Sequence, residues 1–384
     1  MVREICDGAR VHLGEDAVGI VTGMLPDSLE RRATTMAESE KVNVLIASFL
    51  EEEYVHQIGR VDARIRVINE PDLLRPPRYP ADHKGAPRER TPAQEARWRE
   101  LLATADVLFD FDQTHREDLP ELAPNVRWIQ STSSGIGQFV AAMGYGKRMP
   151  NTVFTKASGV HGQPLAEFCL MVMLMFRKRL LRVVQDQSRK HWERYAGSDL
   201  AGRTVVIVGL GAVGQEIARV CDALRMLVIG VGRSSSSLDS LSSPPDEFFP
   251  VADLRKVLPR AEHLVLIAPH TPETENLIGV DELALMPQGA ILINIGRGPL
   301  VDEPALAAAL ASGHLGGAGL DVFVEEPLPE DSPFWEMPNV LVSPHSASTS
   351  DRENRRITGL FCENLKRFLA GQPLINLLDP NRLY

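Results

Sequence analysis

The sequence lacks what a membrane, a metal cluster or a nucleic acid would demand of it. Its four cysteines, Cys6, Cys169, Cys221 and Cys362, stand far apart in 384 residues and form no CxxC or Cys/His spacing. That pattern gives no disulfide framework and no metal site, and points instead to buried thiols in a reducing cytoplasm. Long apolar runs are absent as well. The longest, Phe168 to Phe176, is too short to span a bilayer and runs into Arg177, Lys178 and Arg179. The head MVREICDGARVHLGEDAVG has no basic start followed by a sustained apolar core, so no signal peptide is expected. Positive charge is in deficit, with 41 Lys and Arg against 51 Asp and Glu and a net charge of −10. Nucleic acid and anionic membrane surfaces are thereby excluded as main partners.

What is present is a two-domain length of chain with a repeated strand–helix rhythm. Residues 1–40 have weak periodicity and a second possible start at Met36, and are expected to be an extension outside the folded unit. From Val42 the runs VNVLIAS, RIRVIN, DVLFDF, VRWIQST and TVFTKA read as strands, each short, β-branched and bounded by breakers. Among them lies EPDLLRPPRYPADHKGAPRERTP, with six prolines from Pro71 to Pro92. It reads either as an extended surface loop or as a cover over a site. It ends at Thr91-Pro92-Ala93-Gln94, a capping box with proline at the first helical position. Residues 163–182 read as one long helix, apolar on more than one face, for a domain junction or a subunit interface. The later runs TVVIVG, MLVIGVG, HLVLIAP, AILINIG, GAGLDVF and VLVSPH are nearly all apolar, as parallel strands buried on both faces are. The fold class expected is α/β, with two doubly wound parallel sheets.

The stretch VVIVGLGAVGQEIA carries Gly209, Gly211 and Gly214 in the G-x-G-x-x-G spacing, between a strand and a helix that opens with Ala212 and Val213. In that context the glycines permit a tight turn, close approach of backbone to a pyrophosphate and helix–strand packing. The helix N-terminus stabilises the anion. NAD binders carry an acid near the end of the second strand for the ribose 2′-hydroxyl. Here Gly232 occupies that position, Arg233 and Ser234 follow, and no Asp or Glu lies between Asp222 and Asp239. An arginine with hydroxyls suits a 2′-phosphate, so NADP(H) is favoured over NAD(H).

Ligands of open α/β sheets sit beyond the carboxyl ends of the strands. There ILINIGRG delivers Arg297, GLDVFVEEP delivers Asp321 and Glu326, and VLVSPH delivers His345. Each has a duller reading as a surface ion pair, an acidic turn or a loop histidine. Together they suit reduction of a 2-oxo acid. Arg297 pairs with the carboxylate and polarises the ketone, His345 supplies the proton, and Glu326 orients the imidazole. His161 and His270, loop residues beside the expected cleft, are weaker candidates.

From LAGRTVVIVGLGAVG through PHTPETENLI, ALMPQGAILINIGRGPLVDEPAL, GLDVFVEEPLPEDSPFW and NVLVSPHSAS, the chain resembles the D-isomer-specific 2-hydroxyacid dehydrogenases. The resemblance runs from about Val42 to the C-terminus. It implies Arg297, Glu326 and His345 as the catalytic set, Asp321 at the nicotinamide carboxamide, and Pro269, Thr274 and Ile295 as further coenzyme contacts. It also implies that QSTSSGIG binds the substrate carboxylate through backbone amides around Ser134, Gly135 and Ile136. By the same resemblance, a Rossmann domain over 161–346 is inserted into a flavodoxin-like substrate-binding domain formed by 41–160 and 347–384. After His345, DRENRRITGLFCENLKRFLAGQPLINLLD reads as a helix that stops near Gly371 with a tail leading away. The resemblance implies that it packs back on the first domain, that two crossings form a hinge, and that the apolar helix after Gln163 makes a homodimer. Glyoxylate and hydroxypyruvate are the expected substrates, though the proline loop leaves larger 2-oxo acids open. The rival of another class is a dinucleotide-sensing, corepressor-like protein. Formate dehydrogenase is disfavoured by Pro344, where glutamine would precede the histidine.

Overall fold

The computed structural model describes residues 41–233 and 244–379. The expected extension over 1–40, with Cys6 and Met36, lies outside the described residues, as do Ser234 and the tail 380–384.

The apolar runs near the start of the described chain become β1 (Val42–Ile46), β2 (Ile65–Ile68), β3 (Val107–Phe109), β4 (Trp128–Gln130) and β5 (Val153–Thr155). They pair in the order β2-β1-β3-β4-β5, every pair parallel. This is the flavodoxin-like order, whose switch point falls between β1 and β3. β3 and β4 are buried along their whole length, which is why their sequences do not alternate.

A second sheet follows: β6 (Thr204–Val208), β7 (Leu227–Gly232), β8 (Glu247–Pro250), β9 (His263–Leu266), β10 (Ala290–Asn294), β11 (Leu315–Leu320) and β12 (Val340–Val342). Its order, β12-β11-β10-β9-β6-β7-β8, is also wholly parallel and reverses between β6 and β9. That is the Rossmann arrangement with one strand added at the far edge. β8 is not legible in the sequence. It is a partly exposed edge strand of four residues that ends in Pro250, and such strands carry neither alternation nor a continuous apolar run.

Among the described residues, the helices of eight residues or more are α1 (Glu52–Gly59), α2 (Pro92–Thr104), α3 (Gly162–Arg177), α4 (Leu180–Ser188), α5 (Ala212–Ala223), α6 (Glu303–Ala311) and α7 (Glu353–Leu369). α2 opens on the expected capping box. The Thr91 hydroxyl accepts from the Gln94 amide at 3.3 Å, and the Gln94 side chain accepts from the Thr91 amide at 3.0 Å. The single helix expected over 163–182 is corrected to two, α3 and α4, broken at Arg179, whose φ is 56°. The break occurs because the segment 195–198 folds back on the end of α3. There Tyr195 Oη donates to the Lys178 carbonyl at 3.0 Å and the Ser198 amide to that of Arg177 at 2.9 Å.

α3 buries Cys169, Val172 and Met173 against the second sheet and α5. α7 returns to the first sheet, where Phe361 stacks on Trp128 at 4.9 Å and meets Phe109 edge-on at 5.2 Å. The chain therefore crosses between the sheets twice, after β5 and after β12. No described helix is long and apolar enough to cross a membrane.

Candidate functional site

The carboxyl ends of β6 and β9 meet at the topological switch of the second sheet. Gly209 follows β6 with φ 109°, and a Cβ there would lie 2.9 Å from the Ala268 amide nitrogen in the segment after β9. Only glycine fits a turn that is left-handed and this close to its neighbour. Gly214, on the first turn of α5, has no room for a Cβ beside the Gly209 carbonyl. Gly211 differs: a Cβ there would meet nothing within 4 Å. It is the N-cap of α5, and no side chain caps the helix there, so a ligand can reach the first turn of α5 beside Gly211. The cradle fits a pyrophosphate, because unpaired N–H groups and the helix dipole are what such an anion needs.

The next two strand ends complete this rim. Gly232 closes β7 and Arg233 follows it, exposed. The Arg233 charge is among the influences that hold the Glu273 carboxyl low, after hydrogen bonds from Thr271 and the Glu273 backbone. Arg233 therefore faces the loop that carries Pro269 and Thr274. In that loop the Thr274 hydroxyl donates to the Pro269 carbonyl at 2.8 Å and accepts from the Thr271 amide at 2.8 Å. Thr274 thus shapes the loop from within. Ile295 is 4% exposed, and its side chain belongs to the core under α3, so only its backbone is available to a ligand.

Across the rim, Nδ1 of His345 lies 2.8 Å from Oε2 of Glu326. A carboxylate only accepts, so Nδ1 carries the proton and Nε2 is left for a ligand. Glu326 is itself anchored, its Oε1 accepting from the Phe323 amide at 3.1 Å. Arg297 leaves the end of β10 and donates from Nη1 to the Gly296 carbonyl at 2.6 Å. Burial pulls its guanidinium below the usual arginine value, and the Glu326 charge opposes that pull. Two buried polar residues brace this set. Asn294, 2% exposed, accepts from the Gly296 amide at 3.2 Å and donates to the Arg297 carbonyl at 2.9 Å. Asp321 Oδ1 accepts from Ser343 Oγ at 2.5 Å and from the amides of Ser346 and Ala347 at 2.8 and 3.0 Å. His345 between them has φ 52°. A left-handed histidine is strained, and the Asp321 oxygen offsets that strain by holding both sides of the turn. The sequence motif gave no sign of this role for Asp321.

The first sheet meets the second at the loop after β4. Gly135 is where they touch: a Cβ on it would overlap Nη2 of Arg297. Ser134 Oγ lies 3.3 Å from Nδ1 of His161, and Gln138 Nε2 lies 3.4 Å from Nδ1 of His270. Ile136 packs its side chain into the first domain's core, leaving its amide at the loop. Arg297, Gly135 and Ser134 are thus brought together from both sheets, with both secondary histidine candidates beside them.

The proline-rich loop is braced rather than loose. Arg78 donates to Asp82 through Nε and Nη2 at 2.7 and 3.0 Å. Burial would raise the Asp82 carboxyl, but these bonds outweigh it and hold it at about 2. His83 Nδ1 reaches Ser48 Oγ at 3.1 Å, just past the end of β1. Asp110 follows β3 with φ 68° and is 3% exposed; burial raises its carboxyl, and the His83 charge opposes that. The loop therefore covers the switch point of the first sheet. Sequence reasoning missed Ser48, His83 and Asp110, because their grouping depends on a loop closure that no local pattern encodes.

Several known proteins are similar to this chain. The family model described as D-isomer specific 2-hydroxyacid dehydrogenase, NAD binding domain, matches residues 170–347. A glyoxylate/hydroxypyruvate reductase B of Pectobacterium atrosepticum is 33% identical over 291 residues, which cover 73% of this chain and 88% of that protein. A D-isomer specific 2-hydroxyacid dehydrogenase family protein of Aeromonas salmonicida superposes with TM-score 0.73 at 27% identity, covering 89% of this chain and all of its own. An NADPH-dependent glyoxylate/hydroxypyruvate reductase of Sinorhizobium meliloti, crystallised with NADP and sulfate, gives TM-score 0.69 at 25% identity over 90% of this chain and all of its own.

Proposed function

The chain belongs to the D-isomer specific 2-hydroxyacid dehydrogenase family of NAD(P)-dependent oxidoreductases, and from that premise we propose that it reduces a small 2-oxo acid, reversibly, to the D-2-hydroxy acid with NADPH as preferred coenzyme. The observation that carries the reading is the 2.8 Å contact of His345 with Glu326, on the rim that also holds Arg297 and the α5 cradle. It disfavours a sensing protein, which has no need of a proton donor there.

In this reading Gly209, Gly211, Ala212, Val213 and Gly214 hold the pyrophosphate, and Arg233 with Ser234 takes the 2′-phosphate. Pro269, Thr274, Ile295 and Asp321 border the nicotinamide end. When bound, the nicotinamide supplies the hydride. The amides around Ser134, Gly135 and Ile136 hold the substrate carboxylate with Arg297, whose guanidinium also polarises the keto oxygen. The doubly protonated ring of His345, paired through Nδ1 with the Glu326 carboxylate, gives its Nε2 proton to that oxygen. In the reverse direction the neutral ring takes the proton back at Nε2. Substrate binding is assigned to 41–160 with 347–384, and the coenzyme to 161–346. Closure about the two crossings excludes water before reaction.

Preference for NADPH is supported by Arg233 at the position of the usual acid, and by neighbours solved with NADP or NADPH. Glyoxylate and hydroxypyruvate are favoured as substrates by the relatives' activities. A homodimer through α3 and α4 is supported by exposed Met171, Leu174, Leu181 and Val184. A cytoplasmic setting is supported by the free buried thiols Cys169, Cys221 and Cys362; burial pushes that of Cys221 up to about 12.

The test is a panel of 2-oxo acids assayed with NADPH and NADH. Turnover of glyoxylate or hydroxypyruvate with higher kcat/KM for NADPH is expected, and Arg233→Ala should narrow that preference. His345→Ala should lower kcat by about 10²–10⁴-fold. Undiminished turnover in that variant would remove the proton-transfer role, and a clear NADH preference would remove the coenzyme assignment.

A further inference from the structure

One buried acid–imidazole pair lies outside the proposed catalytic set, where the two chain crossings meet. His161 immediately precedes α3 and is 8% exposed; Glu353 opens α7 and is 6% exposed. His161 Nε2 lies 3.3 Å from Glu353 Oε1, and His161 Nδ1 lies 3.3 Å from Ser134 Oγ. The second Glu353 oxygen, Oε2, is buried with no hydrogen-bond partner among the described residues. The same junction is tied by Arg356 Nη2 to Gln163 Oε1 at 3.2 Å and by the Ala157 amide to the Ser133 carbonyl at 3.1 Å.

The direction of this chain follows from donor and acceptor capacity. A buried carboxylate is costly unless paired, and His161 is the imidazole that pairs with Glu353. A carboxylate only accepts, so His161 Nε2 carries a proton. In the neutral ring Nδ1 then accepts, and the Ser134 hydroxyl donates to it. The acid fixes the tautomer, the tautomer fixes the hydroxyl, and the hydroxyl fixes the loop after β4. An acid behind a metal-bound imidazole works by the same logic. With both ring nitrogens engaged, His161 has none left for reacting atoms, and whatever it does passes through Ser134.

We propose that His161, oriented by Glu353, is a positioning residue for carboxylate recognition: it clamps residues 133–136 so that their amides present to the substrate carboxylate. Because His161 and Glu353 end the two crossings, the clamp is set by the same junction about which the domains close. The proposal rests on the 2-oxo acid reading above and deepens it.

The test exploits the geometry of the ring. A glutamine amide nitrogen reaches where Nε2 stands, so His161→Gln keeps Glu353 paired and the fold intact while giving up Ser134. KM for glyoxylate should rise about tenfold, the loss of one hydrogen bond, with the Kd of NADPH and kcat little changed. Ser134→Ala should show the same KM rise, and the double variant no further rise, since both substitutions break one contact. A KM within twofold of the unaltered protein, a parallel loss of NADPH affinity, or singles that add in the double variant would each overturn the proposal. If the unaltered protein reduces no 2-oxo acid with either coenzyme, the functional reading fails on its own. Amide hydrogen exchange over 133–136 then decides the clamp: faster exchange in His161→Gln supports it, and unchanged exchange overturns it.

Discussion

At the residue scale the site depends on one absent methyl group. Gly135 and the Arg297 guanidinium, from different sheets, approach so closely that a Cβ would overlap Nη2. Gly135→Ala is therefore expected to push the guanidinium aside. A misplacement of about 1 Å costs on the order of 10²-fold in rate, so kcat/KM for the oxo acid should fall by about that factor. NADPH binding, measured by fluorescence titration, should stay within twofold. Unchanged kcat/KM would mean that the guanidinium does its work from another position. Arg297, Glu326 and His345 were legible in the sequence because each ends an apolar run and has a chemically distinct side chain. Their supports were not. Asn294 looks like an ordinary polar residue in a strand end. Asp321, though singled out at its own strand end, showed no sign of bracing His345, because the bonds it makes to that turn span 22 to 26 positions. The His161–Glu353 pair spans 192. Nothing local announces such contacts, and the left-handed φ of His345 leaves no mark on residue type.

At the element scale, α3 lies flat on β11 because the strand offers glycines beneath it. A Cβ at Gly319 would lie 2.7 Å from both Val172 Cγ atoms, and Gly317 faces the Phe176 ring. Valine on a helix has almost no χ1 freedom, so it does not step aside. Gly319→Ala should therefore destabilise by about 1–3 kcal/mol, read as a lower urea midpoint with unchanged slope. Adding Val172→Ala should restore part of the loss, since the two side chains would share one space. An unaltered midpoint in the single variant would contradict this packing. The strands of both sheets, β8 excepted, were legible, most because buried parallel strands leave continuous apolar runs. The partly exposed edge strands β2 and β12 were legible because they are short, β-branched and bounded by breakers. The break between α3 and α4 was not, because the segment that takes the last carbonyls of α3 lies 17 to 21 residues downstream.

At the scale of the whole molecule, acid stability traces to a group far from the catalytic rim, and so does the proposed homodimer. His263, the first residue of β9, is fully buried, and Arg177 Nε donates to its Nε2 at 3.0 Å. Burial, then the Arg177 charge, lowers its imidazole from 6.5 to about 3. The folded state thus keeps it neutral while the unfolded chain protonates it below about 6.5. Stability from this group is complete above that value and is lost as pH falls towards 3, at up to about 1.4 kcal/mol per pH unit. His263→Gln, which still offers Arg177 an acceptor, should lose about 2 kcal/mol less than the unaltered protein between pH 7 and 5. Urea midpoints at the two pH values measure this, and equal losses would mean that the ring is not held neutral. The proposed homodimer rests on the opposite imbalance, apolar groups in water. α4 buries none of its residues, and Leu180, Leu181 and Val184 are exposed on it beside Met171 and Leu174 of α3, with Trp192 94% exposed just beyond. Apolar groups exposed on two adjoining helices call for a cover, and in the proposed homodimer a second copy supplies the matching face by two-fold symmetry. Light scattering at micromolar concentration should give twice the mass of the chain. Leu181→Lys with Val184→Lys should give the single mass, with the far-ultraviolet spectrum unchanged because neither side chain supports the core. A monomeric mass for the unaltered protein would leave this face without the role argued for it.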